Sequence, residues 1–189
     1  MNFNTYDYIF DIPTGGDIDN GCYFESHWVE IKKCMLDKDS TTEIVIPEGV
    51  EVIGEYAFIN CVNLKKITFP SSLRKIREGA FECCKSLESI SFSNPVRIDA
   101  DAFRFCESLK SVEINFTNTR KSSELIWENQ REPGELPGYL IETHDTGLIW
   151  RGAFKDCQSL KEIKLCSQVE YYKNDESLNN VAITGGKSR

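Results

Sequence analysis

The stretch that decides the fold is Gly54-Glu55-Tyr56-Ala57-Phe58-Ile59-Asn60-Cys61-Val62-Asn63-Leu64-Lys65-Lys66-Ile67-Thr68-Phe69-Pro70. Its frame Ala-Phe-x-x-Cys returns as Ala80-Phe81-Glu82-Cys83-Cys84, Ala102-Phe103-Arg104-Phe105-Cys106 and Ala153-Phe154-Lys155-Asp156-Cys157. Behind each copy stands a leucine at a fixed offset: Leu64, Leu87, Leu109 and Leu160. Three residues on comes Ile67, Ile90, Val112 or Ile163, and two beyond that Phe69, Phe92, Ile114 or Leu165. An earlier half-copy, Ile44-Val45-Ile46-Pro47, matches Ile67-Thr68-Phe69-Pro70. The phenylalanines of the frame are 23, 22 and 51 residues apart.

A period of 22–23 residues lies in the range of leucine-rich repeats. Leu-x-x-Ile-x-Phe places Ile and Phe on one face of a short strand, because side chains alternate along a strand. One such strand cannot bury its apolar face alone; parallel copies stacked about 4.8 Å apart build a continuous core. If Ile67 and Phe69 point inward, Lys66 and Thr68 point outward. The matching outward columns are Glu43 and Val45, Ser89 and Ser91, Ser111 and Glu113, Glu162 and Lys164. They would line a concave surface of small polar side chains with mixed charge, a strip able to receive a protein loop.

These recurring positions, together with Pro70, Leu73 and Ile76, resemble the BspA-type leucine-rich repeat family over about residues 41–115 and 147–166. The resemblance implies a right-handed solenoid used for binding and implies no catalysis. Members range from surface adhesins to intracellular proteins, so it chooses no partner. Leucine-rich repeats place Asn or Cys inward at the turn before the strand. Cys61, Cys84, Cys106 and Cys157 fall there, and a buried Cys acts as a small apolar residue with a weak S–H donor. They are expected to form a reduced structural ladder. Zinc is the alternative, but each coil offers one Cys and no His stands at ligand spacing.

The 51-residue gap holds about 28 inserted residues. The pattern stops after Ile114 and resumes at Ile149, four before Ala153, as Ile53, Ile76 and Ile98 stand four before their own alanines. The insertion therefore interrupts one coil. The domain reading is a cap over 1–40, repeats over 41–115, an insertion over 116–148, and a final repeat with cap and tail over 149–189. Within the insertion, Ser122 to Glu128 is predicted to start a short helix. Glu132 to Gly138 is a breaker-rich turn segment. Tyr139 to Glu142 with Leu148 to Trp150 reads as a hairpin about a turn at His144. Solenoid insertions are often placed on the binding face. Trp127, Tyr139 and Trp150 are its large aromatics; they either anchor an interface or pack the insertion onto the solenoid. His144, beside Asp145, is a polar turn residue with a weaker reading as a base. In the cap, Tyr6 to Ile12 and Trp28 to Leu36 suit short strands. The last five residues are expected to be mobile.

Composition limits the function. The chain has 189 residues, 22 Lys and Arg, 30 Asp and Glu, and a net charge of −8. That balance opposes nucleic-acid binding and suits a basic protein partner. No stretch is long and apolar enough to span a membrane as a helix. Met1 to Tyr8 has neither the basic nor the apolar region of a leader. If Met1 is the natural start the expected place is the cytoplasm; otherwise the protein is secreted or on the cell surface. Asp17-Ile18-Asp19-Asn20-Gly21 misses the calcium-loop positions, which fall on Cys22 and Trp28. Asn115-Phe116-Thr117 is a formal glycosylation sequon. The terminal Gly185-Gly186-Lys187-Ser188 lacks the rest of a phosphate loop.

The expectation is thus a mostly-β, right-handed leucine-rich-repeat solenoid of about five coils with short helical or irregular segments and a long insertion. It is not read as an enzyme, and no cofactor or metal is expected. Its work is protein–protein interaction, as a small intracellular binder or an immunity-type inhibitor of a partner protein. The alternative is a surface or secreted adhesin-like protein.

Overall fold

The computed structural model describes residues 8–11, 29–34, 37–115 and 147–189. Its strands are β1 (Tyr8–Asp11), β2 (Val29–Cys34), β3 (Glu43–Val45), β4 (Val50–Ile53), β5 (Lys66–Thr68), β6 (Lys75–Ile76), β7 (Ser89–Phe92), β8 (Arg97–Ile98), β9 (Ser111–Ile114), β10 (Gly147–Ile149), β11 (Glu162–Tyr171) and β12 (Ala182–Ser188). Repeating coils supply two strands each, and the two sets stack as parallel ladders. In the first ladder Ile44 stands opposite Ile67, Ile90 opposite Val112, and Val112 opposite Ile163. In the second, Ile31 stands opposite Ile53, then Ile76, Ile98, Ile149 and Tyr171 follow in register. β11 is long because it serves both: Glu162–Leu165 joins the first ladder and Val169–Tyr171 the second.

The Ala-Phe-x-x-Cys frame is the corner that returns each coil from the second ladder to the first. The residue before Ala has positive φ in every copy (Tyr56, Gly79, Asp101, Gly152), and so does the residue before Cys (Asn60, Cys83, Phe105, Asp156). Two left-handed residues per coil bend the chain sharply, at roughly 1–2 kcal/mol each where a side chain is present. Stacking offsets that strain. Phe58 lies on Phe81 at 5.0 Å, Phe81 on Phe103 at 5.1 Å, and Phe103 on Phe154 at 5.5 Å, all nearly parallel. Each amide reaches the next coil: Phe58 N donates to Ala80 O, Phe81 N to Ala102 O, and Phe103 N to Ala153 O, at 2.8, 2.8 and 2.9 Å. The alanines are 0–1% exposed, leaving no room for a larger side chain.

The coil after Phe103 closes as the others do, although 51 residues separate the two phenylalanines. Before the gap the chain is in the first ladder at β9, and after it in the second at β10. The expected helix at 122–128 and turn segment at 132–138 lie outside the described residues. Of the expected hairpin, Leu148 and Ile149 lie in β10, which pairs in parallel with β8 on one edge and β11 on the other, and Tyr139–Glu142 lies outside the described residues.

The solenoid has six coils where the sequence suggested five. The sixth skips the Ala-Phe turn and keeps its end: Asp175-Glu176-Ser177-Leu178 stands where Cys106-Glu107-Ser108-Leu109 and Cys157-Gln158-Ser159-Leu160 stand before it. Leu178 N donates to Asp175 O at 3.0 Å, as Leu160 N does to Cys157 O at 3.1 Å. The terminal segment, expected to be mobile, is β12, paired with both halves of β11. Gly185 (φ +77°) lets it turn the corner, where a Cβ would sit 1.9 Å from Leu165 O. At the other end β1 runs antiparallel to β2, close to the two strands expected in the cap.

Candidate functional site

The first ladder presents the strip read from the sequence. Lys66, Thr68, Ser89, Ser91 and Lys164 are exposed, and Ser111, Glu113 and Glu162 are half-buried. Their columns are in register: Ser89, Ser111 and Glu162 form one, and Ser91, Glu113 and Lys164 the next. The strip is self-paired. Lys164 Nζ lies 3.4 Å from Glu162 Oε1, and beside it Lys110 Nζ is 3.0 Å from Glu88 Oε2. Such exposed pairs contribute little. Val45, half exposed, is its large apolar member.

Cys84, Cys106 and Cys157 turn inward, each Sγ donating to the carbonyl of the preceding coil's phenylalanine: Phe58 O at 3.4 Å, Phe81 O at 3.3 Å and Phe103 O at 3.1 Å. With Cys61 they are free thiols. Hydrogen bonding to Cys61, then burial, holds the Cys84 thiol well above the ordinary range; Cys157 and burial do the same to Cys106. A thiol so placed is a poor nucleophile and a poor ligand at neutral pH. Asp175 holds the ladder's last place with a different chemistry. Its Oδ2 accepts from Gly152 N at 2.9 Å, and its Oδ1 from Ser177 N and Oγ at 3.0 and 2.7 Å. Gly152 has no Ala-Phe turn above it, so the carboxylate replaces the carbonyl that a further coil would bring.

The outward side of the second ladder is where the structure adds most. Trp150, following β10, is half-buried with Arg97 Cζ 5.2 Å from its ring centroid. Tyr172 lies 5.6 Å from Trp150 on the next coil, and Arg151 Cζ lies 5.0 Å from the Tyr172 ring. Asp99 binds Arg97 Nε at 2.9 Å and Lys75 Nζ at 3.3 Å. Arg189 pairs with Glu170 and hydrogen-bonds Tyr172. Trp150 Nε1 is buried without an acceptor among the described residues. Trp, Tyr and Arg are the residue types that dominate binding hot spots.

Of the expected site residues, Trp127, Tyr139 and His144 lie outside the described residues, as does His27. Trp150 is on the second ladder, apart from the polar strip of the first. Tyr172, Arg97 and Arg151 were missed by sequence reasoning. The available signal was the column directly after the inward isoleucines, where Asp99 follows Ile98 and Trp150 follows Ile149. Among the described residues no group of three His, Cys, Asp or Glu could hold a metal. No helix among them is long and apolar enough to cross a membrane.

The sequence profile of the BspA type leucine rich repeat region matches residues 29–129 and 142–184 in six copies. No curated protein matches the chain. Solved structures share the fold, two of them over most of this chain. The T. pallidum leucine-rich repeat protein TpLRR is 20% identical, with 98% of this chain and 85% of that one covered and a TM-score of 0.57. A leucine-rich repeat protein from Eubacterium ventriosum is 19% identical, with 78% of this chain and 33% of that one covered and a TM-score of 0.52. Leucine-rich repeat proteins are generally protein-interaction scaffolds. With two stacked ladders, a phenylalanine spine and a cysteine closing each Ala-Phe corner, the chain belongs to the BspA-type leucine-rich repeat family.

Proposed function

We propose that the chain is a protein-binding module whose contact surface is the outward side of the second ladder around Trp150. The observation that carries this is the contiguous set Arg97, Trp150, Tyr172 and Arg151, drawn from three successive coils. Its position supports the same reading, because the chain re-enters the ladder at Gly147, three residues before Trp150. No step of catalysis is assigned to it. As a concrete version, the protein is a small intracellular binder that blocks a partner by covering its surface, in the manner of an immunity protein. That version rests on size and charge. A surface adhesin is the second reading, supported by family likeness alone.

Affinity capture from native lysate with the intact chain, and with residues 118–146 replaced by a short Gly/Ser linker, tests the module. A stoichiometric partner retained by both forms places recognition on the ladders. A partner lost on replacement moves it to the insertion. Absence of any partner overturns the intracellular reading.

A further inference from the structure

The surface around Trp150 and Tyr172 has the opposite sign to the chain. Arg97, Arg151, Lys173, Lys187 and Arg189 stand there against Asp99 and Glu170, with Asp101 and buried Asp175 at the adjoining Gly152, in a protein of net charge −8. The register brings them together: Leu148 is opposite Arg97 and Glu170, and Glu170 is opposite Lys187. Lys173 N donates to Arg189 O at 3.3 Å. Asp99 is engaged by Lys75 and Arg97, Glu170 by Arg189, and Asp175 by the Gly152 and Ser177 amides. Among the described residues no ion pair reaches Arg151, Lys173 or Lys187, and all three are exposed.

We infer that this patch docks an acidic peptide segment of the protein partner. Carboxylates of that segment meet Arg151, Lys173, Lys187 and Arg189, and an apolar side chain between them lies against Trp150 and Tyr172. The chemistry is that of Arg clusters that read acidic motifs. A local positive field on a negative molecule also orients the encounter, holding off acidic surfaces everywhere but here. The inference rests on the protein-binding reading and reverses one expectation from composition, since net charge alone suggested a basic partner.

The test is fluorescence anisotropy of the intact chain with a labelled peptide of alternating glutamate and leucine. A lysine–leucine peptide and a single-stranded oligonucleotide of matching charge are the comparisons. The acidic peptide should bind, and more weakly as salt rises. The double variant Arg151→Glu/Arg189→Glu should weaken it by about tenfold or more, since two exposed pairs become repulsions. Arg151→Gln should give a smaller loss, with circular dichroism checking that each variant stays folded. Lys66→Glu/Lys164→Glu, on the first ladder, should change little. Equal loss from both double variants, tighter binding of the oligonucleotide, or no acidic-peptide binding would each overturn the inference. A captured protein partner that binds the Arg151→Glu/Arg189→Glu form undiminished would overturn it too, while leaving the protein-binding reading standing.

Discussion

Replacing Phe103 with alanine tests the central structural claim, that one coil closes across the insertion. Phe103 is fully buried between two rings, Phe81 at 5.1 Å and Phe154 at 5.5 Å. Truncating a buried phenylalanine costs roughly 3–5 kcal/mol, of which two lost ring stacks account for about 1–3. The cavity cannot collapse easily, because the neighbouring coils are fixed by hydrogen bonds on both sides. For a chain of this length a melting point falls by about 2–4 °C per kcal/mol, so the expected drop is roughly 6–20 °C. Phe154→Ala removes one stack and should cost less. Calorimetry and urea unfolding followed by tryptophan fluorescence read the effect. Stacked coils couple through their neighbours, so the variant should also loosen the coils beyond it, seen as faster amide exchange in β10 and β11. A loss below about 1 kcal/mol, with exchange in β10 unchanged, would refute the stacking of Phe103 on Phe154.

Other outcomes follow from the same geometry. Asp175→Ala should cost about 1–3 kcal/mol and speed exchange of the Gly152 amide, because it orphans that donor and uncaps the Glu176–Leu178 3₁₀ turn. Gly185→Ala should detach β12, since φ is +77° and a Cβ would meet Leu165 O at 1.9 Å. Gly152→Ala, at φ +75° with its nearest contact 3.9 Å away, should cost only about 1 kcal/mol of backbone strain. Among the described cysteines, thiol labelling of the native protein should reach half-buried Cys83, Cys157 and Cys166 before Cys84 and Cys106, which react only on unfolding. The raised thiols of Cys84 and Cys106 also set a pH dependence. At Cys106 the contribution to stability is full below the ordinary thiol value of 9.0 and is lost as pH rises above it, because the unfolded chain ionises first, whereas at Cys84 the hydrogen-bonded Cys61, lowered by the same contact, works against it. Urea midpoints that do not fall between neutral pH and strongly alkaline pH would count against that ladder.

Much of the first ladder was legible because its strands alternate with period two and bury one side. Ile67 between exposed Lys66 and Thr68, and Ile90 between Ser89 and Ser91, declare themselves in any single copy. The corner was legible as a motif but not as a conformation. Tyr56 and Phe105 are residue types that avoid positive φ, and only stacking on neighbouring coils holds them there. The second ladder was barely legible. Its strands β6 and β8 are two residues long, too short to show a period, so the residues on its outward side could not be sorted from sequence. The sixth coil was hidden because Asp175 replaces the diagnostic cysteine and the Ala-Phe turn is missing.

The sequence by itself determined the repeat, its period, the inward Leu, Ile and Phe, and the single coil that the insertion interrupts. These are local patterns, repeated often enough for each copy to confirm the next. Tertiary structure decided which residues from different coils meet. Arg97, Trp150 and Tyr172 are 53 and 22 residues apart along the chain, and become neighbours only because parallel strands stack in register. It also decided how the solenoid ends, since the donors left open at Gly152 exist only once the preceding coils are stacked, and the carboxylate that satisfies them comes from the short sixth coil.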